Sequence, residues 1–169
     1  MNEPVIAILS LGSNLGDRER TLDDAISAVA ALEDVELVAV SSVVETAALK
    51  PHGVDPTAPA YLNLIASVST TRSPASLLAE LNRIELEHGR TREVRWGDRT
   101  LDIDIVSMGD LQLVTDSLTL PHPRAAERAF VVRPWLEIDA DAQIPGLGRI
   151  DRLSAAHEDV ARYRAEADS

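Results

Sequence analysis

Apolar residues recur along this chain with two different periods, and the period switches at turn residues. Val5 to Leu11 is a short apolar run of strand length. Gly12-Ser13-Asn14-Leu15-Gly16 breaks it as a turn. From Asp17 the spacing is helical: Leu22, Ala25, Ile26, Val29 and Leu32 recur along one face, and Asp17 sits near the start, where the helix dipole favours a carboxylate. Val35 to Val44 is rich in β-branched residues and predicts a second strand. Pro51, Pro56 and Pro59, with Gly53, make the stretch from Lys50 to Ala60 a loop. Tyr61 to Thr71 alternates apolar with small or polar residues and predicts a third strand.

Ser73-Pro74 reads as an N-cap followed by proline at the first helical position. Leu77, Leu78, Leu81 and Ile84 then form the buried stripe of a second helix, closed by Gly89. Leu101 to Met108 predicts a fourth strand, Gly109-Asp110 a turn, and Leu111 to Val114 a returning hairpin partner. Pro121 and Pro123 break any regular element beyond that hairpin. A short helix is expected near Arg124 to Arg128, a strand at Phe130 to Val132 and a terminal helix over Ser154 to Glu166. The order is β-α-β-β-α-β with a C-terminal extension. It predicts an α+β, ferredoxin-like core with helices packed on an antiparallel sheet. No repeat or linker divides residues 1–169, so one domain is expected.

Composition narrows the function classes. Of 169 residues, 45% are apolar but only five are aromatic, so Val, Leu, Ile and Ala must build the core. A charged share of 26% beside that apolar share argues against disorder. The net charge of -12 repels phosphate backbones and anionic membranes, which excludes general nucleic-acid and membrane partners. There is no cysteine, hence no disulfide framework and no thiolate chemistry. Met1-Asn2-Glu3-Pro4 lacks the basic start of a secretory signal, and no apolar stretch nears the roughly 20 residues that span a bilayer. A cytoplasmic protein working as a monomer is expected.

In so acidic a chain, an anion site requires a local reversal of sign. The segment from Arg90 to Arg99 supplies it: Arg90, Arg92, Arg95 and Arg99 stand against Glu93 and Asp98, a net +2. Guanidinium forks bind phosphate oxygens in bidentate geometry, and Gly97 lets the loop bend. Such a loop by itself is as well explained as a solvated stretch pairing with nearby acids. Leu101-Asp102-Ile103-Asp104-Ile105 comes directly after it. Residues two apart in a strand share a face, with Cα atoms roughly 7 Å apart. Two such carboxylates repel unless a cation joins them, and hard oxygen ligands suit Mg²⁺ shared with substrate phosphates. An isolated Asp-x-Asp is usually a solvated edge. Directly after an arginine-rich loop, it reads as a nucleotide–metal site. Leu120-Pro121-His122-Pro123-Arg124, with Arg128, adds a neutral donor and positive charge. Tyr61-Leu62-Asn63 could stack on and hydrogen-bond a flat heterocycle. No Walker-type phosphate loop is present.

These motifs together resemble the 6-hydroxymethyl-7,8-dihydropterin pyrophosphokinase family of folate biosynthesis. The residues that carry the resemblance run from Gly12 to Arg18, Tyr61 to Asn63, Arg95 to Asp104 and Leu120 to Arg124, with Arg128 and Phe130, in the family's order. The resemblance implies transfer of the β,γ-pyrophosphoryl group of ATP to the pterin hydroxymethyl oxygen, with release of AMP. By the same resemblance, Asp102 and Asp104 hold two Mg²⁺ ions. Arg90, Arg92, Arg95 and Arg99 belong to a catalytic loop facing the phosphates. Asn82, Glu85, Ile105, Thr119, His122 and Arg128 line the ATP site. Thr46, Leu49, Tyr61, Asn63, Trp96 and Phe130 form the pterin pocket, with Tyr61 and Phe130 sandwiching the ring. The chain departs from the family pattern at several points: the loop between Arg92 and Arg95 is one residue shorter than in some members. Asp98 stands where proline is common, Asn82 where glutamine often lies, Ala47 and Ala48 replace prolines, and Ser117 occupies a place where some members have arginine.

Two other readings compete. The same element order serves non-catalytic small-molecule-binding domains, which need neither paired aspartates nor an arginine-rich loop. An Asp-x-Asp sugar-nucleotide transferase is disfavoured by the small chain and the lack of a doubly wound sheet pattern. The like charges of Arg90 to Arg99, with only Val94 and Trp96 as apolar anchors, predict ordering when a triphosphate and a pterin arrive. Hydrogen exchange should show protection of this segment rising with both ligands, and unchanged protection would reject a closing lid.

Overall fold

The period-two runs fold as strands of an antiparallel sheet, and the runs of three-four spacing lie against it as helices. The computed structural model describes residues 3–13, 18–46, 49–50, 53–54, 61–88, 101–158 and 160–162. The elements are β1 (Val5–Ser13), α1 (Arg18–Ala30), β2 (Val35–Val40), β3 (Val44–Thr46), β4 (Leu49–Lys50), β5 (Gly53–Val54), β6 (Tyr61–Thr70), α2 (Pro74–His88), β7 (Asp102–Met108), β8 (Leu113–Val114), β9 (Thr119–Leu120), α3 (Ala129–Ile138), β10 (Gln143–Ile144), β11 (Gly148–Arg149) and β12 (Ala161–Arg162). The main sheet runs β12-β3-β6-β1-β7, with β2 also paired to β6, and all of its pairings are antiparallel. β6 thus lies between β1 and β2, and β1 between β6 and β7, the arrangement expected of a ferredoxin-like core. Among the described residues, no helix is long and apolar enough to cross a membrane.

Each face of the sheet is packed. On one face Leu9 and Leu11 of β1, Leu62 and Leu64 of β6 and Ile103 and Ile105 of β7 meet Leu22, Ala25 and Val29 of α1 and Leu77, Leu81 and Ile84 of α2. Leu9, Leu11, Leu62, Leu77 and Leu81 are fully buried. Each such side chain contributes about 1.5–3 kcal/mol relative to exposure. On the other face Ile8, Ile65 and Val106 meet Val131, Val132 and Trp135 of α3, together with Ile150, Ala155 and Ala156. The expected N-cap of α2 is present, with Ser73 Oγ accepting from the backbone N–H of Ser76 at 3.1 Å.

Four expectations are corrected. Phe130 to Val132 is not a strand but the start of α3, which continues through Pro134. Its β-branched residues favour extended backbone locally, yet Val131, Val132 and Trp135 bury together only at helical spacing. Leu111 to Val114 does not return along β7; Leu113 and Val114 pair instead with Leu120 and Thr119 across a turn that Thr115 closes by bonding Leu118. Among the described residues from Ser154 onward there is a short 3₁₀ turn, Ser154–His157, and then β12, which pairs with β3 and covers an open sheet edge. The fourth correction is in the second strand, which stops at Val40 and resumes at Val44. The proline-rich loop contains the hairpin of β4 and β5, and its remaining residues, with Arg90 to Thr100, lie outside those described.

Side chains repair the break between β2 and β3. Ser41 Oγ accepts from the buried backbone N–H of Ile65 at 2.9 Å and donates to Ser42 O at 2.8 Å. Glu137 of α3 accepts from both the N–H and the hydroxyl of Ser42, each at 2.7 Å. Ser41→Ala leaves the Ile65 N–H unpaired in the sheet and should cost about 1–3 kcal/mol. Urea unfolding of the variant would show a lower midpoint with an unchanged slope.

Candidate active site

The sheet face under α3 is apolar at one end only. Past Ile8 and Ile65, the positions on this face become small or polar: Ser10 and Gly12 on β1, Asn63 and Tyr61 on β6, Asp104 and Asp102 on β7. The register aligns them, with Gly12 opposite both Asn63 and Asp102, and Ser10 opposite Ile65 and Asp104. Alternation puts Asp102 and Asp104 on one face with Val106, and a bulge between β1 and β7, at Ile8/Leu9, then shifts the phase so that Met108 returns to the helix-packed core. Ala129 and Phe130, the first residues of α3, form part of the rim. The result is an open cavity of about 650 Å³, of a size that takes a small organic ligand.

The lining divides into two halves. One half holds Thr46, Tyr61, Asn63 and Phe130. Asn63 is buried, and its Nδ2 donates to Thr46 Oγ1 at 3.0 Å, which fixes the amide. The Arg128 guanidinium lies 5.5 Å from the Phe130 ring centroid, in cation–π range. The other half holds Asp102, partly buried, and Asp104, exposed. Glu45 on β3 and Glu158 before β12 line the opposite edge of the sheet from these aspartates, and with Glu127, against Arg124 and Arg128, they make the described lining net acidic. Glu45 is bonded to Arg18 at the start of α1 at 3.3 Å.

His122 lies beside this carboxylate half. Its backbone N–H bonds Val106 O at 2.8 Å, and its Nδ1 accepts from the Arg124 N–H at 3.2 Å. The neutral ring therefore carries its proton on Nε2. Burial lowers its pKa below the ordinary 6.5; Asp104 opposes the shift, and Arg128 and Arg124 add to it. His122 is thus a neutral donor at pH 7.

The remaining expected site residues scatter. Glu85 of α2 is buried and its carboxylate accepts from the Ile103 N–H at 3.0 Å, which ties the helix to β7 between the two aspartates. The Ile105 side chain is in the helix-packed core, so any ligand contact would come from its main chain. Asn82 is exposed on α2, and Thr119 is partly buried on β9. Leu49 is described only through its pairing with Val54. Arg90, Arg92, Arg95, Trp96 and Arg99 lie outside the described residues.

The paired aspartates fit a Mg²⁺ ion. Among the described residues no group of three or more His, Asp or Glu gathers for a metal. Two carboxylates facing a cavity are the donor set of a cation that completes its shell with water and phosphate oxygens.

The family model for 7,8-dihydro-6-hydroxymethylpterin-pyrophosphokinase (HPPK) matches residues 8–140. The chain belongs to the HPPK family. It is 40% identical over 149 residues to the 2-amino-4-hydroxy-6-hydroxymethyldihydropteridine pyrophosphokinase of Haemophilus influenzae, covering 88% of this chain and 91% of that one. It is 43% identical over 133 residues to the enzyme of the same name from Bacillus subtilis, covering 79% and 77%. The crystal structure of wild-type Plasmodium falciparum HPPK-DHPS superposes with a TM-score of 0.68 at 14% identity, a likeness of fold, over 92% of this chain and 41% of that longer one.

The HPPK match spans every described lining residue except Glu158 and Val160. Those two were missed because the C-terminal segment reads as a helix in sequence. Ser10, Glu45, Glu127 and Ala129 were missed too. For Ser10 a signal existed: Ile8, Ser10 and Gly12 change from apolar to small at alternate positions of an otherwise apolar strand. Because its pKa is lowered on folding, neutral His122 adds stability that is complete above pH 6.5 and is lost as pH falls through the folded-state value. An NMR titration should find His122 titrating below 6.5, lower still in Asp104→Asn and higher in Arg128→Ala. A value at or above 6.5 in the native chain would contradict this electrostatic reading.

Proposed function

We propose that this HPPK-family chain transfers the β,γ-pyrophosphoryl group of ATP to the hydroxymethyl oxygen of 6-hydroxymethyl-7,8-dihydropterin in folate biosynthesis. The observation that carries this reading is one cavity containing both a heterocycle-sized half (Thr46, Tyr61, Asn63, Phe130) and a paired-aspartate half (Asp102, Asp104). Tyr61 and Phe130 offer ring faces to the pterin, and Asn63 and Thr46 offer donors and acceptors to its edge. Asp102 and Asp104 would hold two Mg²⁺ ions, which neutralise the triphosphate and align it when bound. Arg128 and the Nε2–H of His122 donate to phosphate oxygens, together with Arg90, Arg92, Arg95 and Arg99. Asn82, Glu85, Ile105 and Thr119 are assigned to the nucleotide side, and Leu49 and Trp96 to the pterin side.

In the reaction the hydroxymethyl oxygen forms a bond to the β-phosphorus. The bond from that phosphorus to the α,β-bridging oxygen breaks, AMP leaves with the electron pair, and the hydroxyl proton passes to solvent. The residues above bring the two substrates to one end of the sheet and hold their reacting atoms in line, which is where the rate gain arises.

The test is AMP formation from ATP, Mg²⁺ and the pterin. Asp102→Asn and Asp104→Asn should each lower turnover on the order of a thousandfold or more, because each removes a charged ligand where the triphosphate is neutralised. The metal-free melting temperature of Asp104→Asn should be equal to or above that of the native chain, since carboxylate repulsion is relieved. A native chain that binds both ligands without forming AMP would instead be a binding domain.

A further inference from the structure

Gly12 lies where the two halves of the cavity meet, opposite Asn63 on β6 and Asp102 on β7. Glycine weakens a paired strand, so its presence inside one marks a bend, a bulge or a close approach. The backbone does not demand glycine here. Among the described residues the glycines with left-handed φ are Gly109, Gly146 and Gly148, and the register shift against β7 falls between Ile8 and Leu9. Space demands it. A Cβ on Gly12 would lie 2.8 Å from Asn63 Oδ1, whereas its distance to Tyr61 Cδ1 would be an ordinary 3.7 Å. The Asn63 amide cannot move aside freely, because it is 5% exposed and its Nδ2 is bonded to Thr46 Oγ1. Turning Oδ1 away from β1 breaks that bond.

We propose that Gly12 is a specificity-determining positioning residue: its missing side chain lets the Asn63 amide lie against β1 in the one orientation that reads the heterocycle edge. With Nδ2 giving one N–H to Thr46, the amide keeps a second N–H and the Oδ1 lone pairs for a ligand. That set suits a flat heterocycle with a donor and an acceptor side by side on one edge. Gly12 itself supplies no contact; it acts through Asn63. The proposal rests on the pterin reading above for the identity of the ligand, but not for the geometry.

The experiment is a double-mutant cycle of Gly12→Ala and Asn63→Ala. The pterin is titrated calorimetrically into protein saturated with Mg²⁺ and a non-hydrolysable ATP analogue, and binding of the analogue alone is the control. Gly12→Ala should weaken pterin binding about tenfold or more, and leave analogue binding within about twofold. In the Asn63→Ala background the same change should alter pterin affinity by less than about twofold, because the atom it displaces is gone. The side-chain amide resonances of Asn63 should shift in Gly12→Ala without any ligand. Additive losses, equal loss of both ligands or unmoved amide resonances would overturn the proposal. If Gly12→Ala does not fold alone, folding of the double variant supports it, and failure of both overturns it. A native chain that ignores the pterin while the Asn63 amide still shifts would reject the ligand assignment and leave the positioning role standing.

Discussion

The packing of α1 and α2 against one face of the sheet constrains everything else. Leu11, Leu64 and Ile103 are committed to that layer by burial. In a strand of period two, their neighbours Gly12, Asn63, Asp102 and Asp104 then have only the opposite face available. A slip of one residue in β6 would place the Asn63 amide under a helix, and in β7 the carboxylates of Asp102 and Asp104, at a cost of several kcal/mol. The apolar layer thus sets the register of the polar one, and the site inherits the rigidity of the core.

The second layer is built to be incomplete. α3 covers Ile8, Ile65 and Val106 with Val131, Val132 and Trp135, and its first turn stops at the rim of the cavity. Glu137 at the far end of that helix holds the interruption between β2 and β3. The same helix therefore closes one end of the sheet face and leaves the other open, so the cavity is the part of a two-sided sheet that its cover does not reach.

The charge of this opening is acidic. The described lining is net acidic in a chain already at -12, so it repels an anion unless local positive charge offsets it. His122, kept neutral by burial beside Asp104 and two arginines, carries its proton on Nε2 and adds nothing to the cation balance. Glu85 plays a different part from the paired aspartates: one of its carboxylate oxygens accepts from the main chain of β7 and ties the helix layer to the strand that carries them.

Much of this was legible in the residues. The helical stripes ending at Leu32 and Ile84, the alternation from Tyr61 and the Asp-x-Asp spacing each encode a local period. Local periods survive into the fold because one face of each element is buried. What the sequence by itself determined is therefore the ferredoxin-like order, the shared face of Asp102 and Asp104, and the family motifs. The tertiary structure decided the rest. Phe130 to Val132 became helix because its apolar residues had a sheet to cover, and Ala161–Arg162 became a strand because β3 had an open edge. Val35 to Val44 broke in two because Ser41 and Glu137 could satisfy the interrupted backbone. In each case the deciding partner lies far away along the chain, and local propensities of a few tenths of a kcal/mol give way to burial and hydrogen bonds worth more.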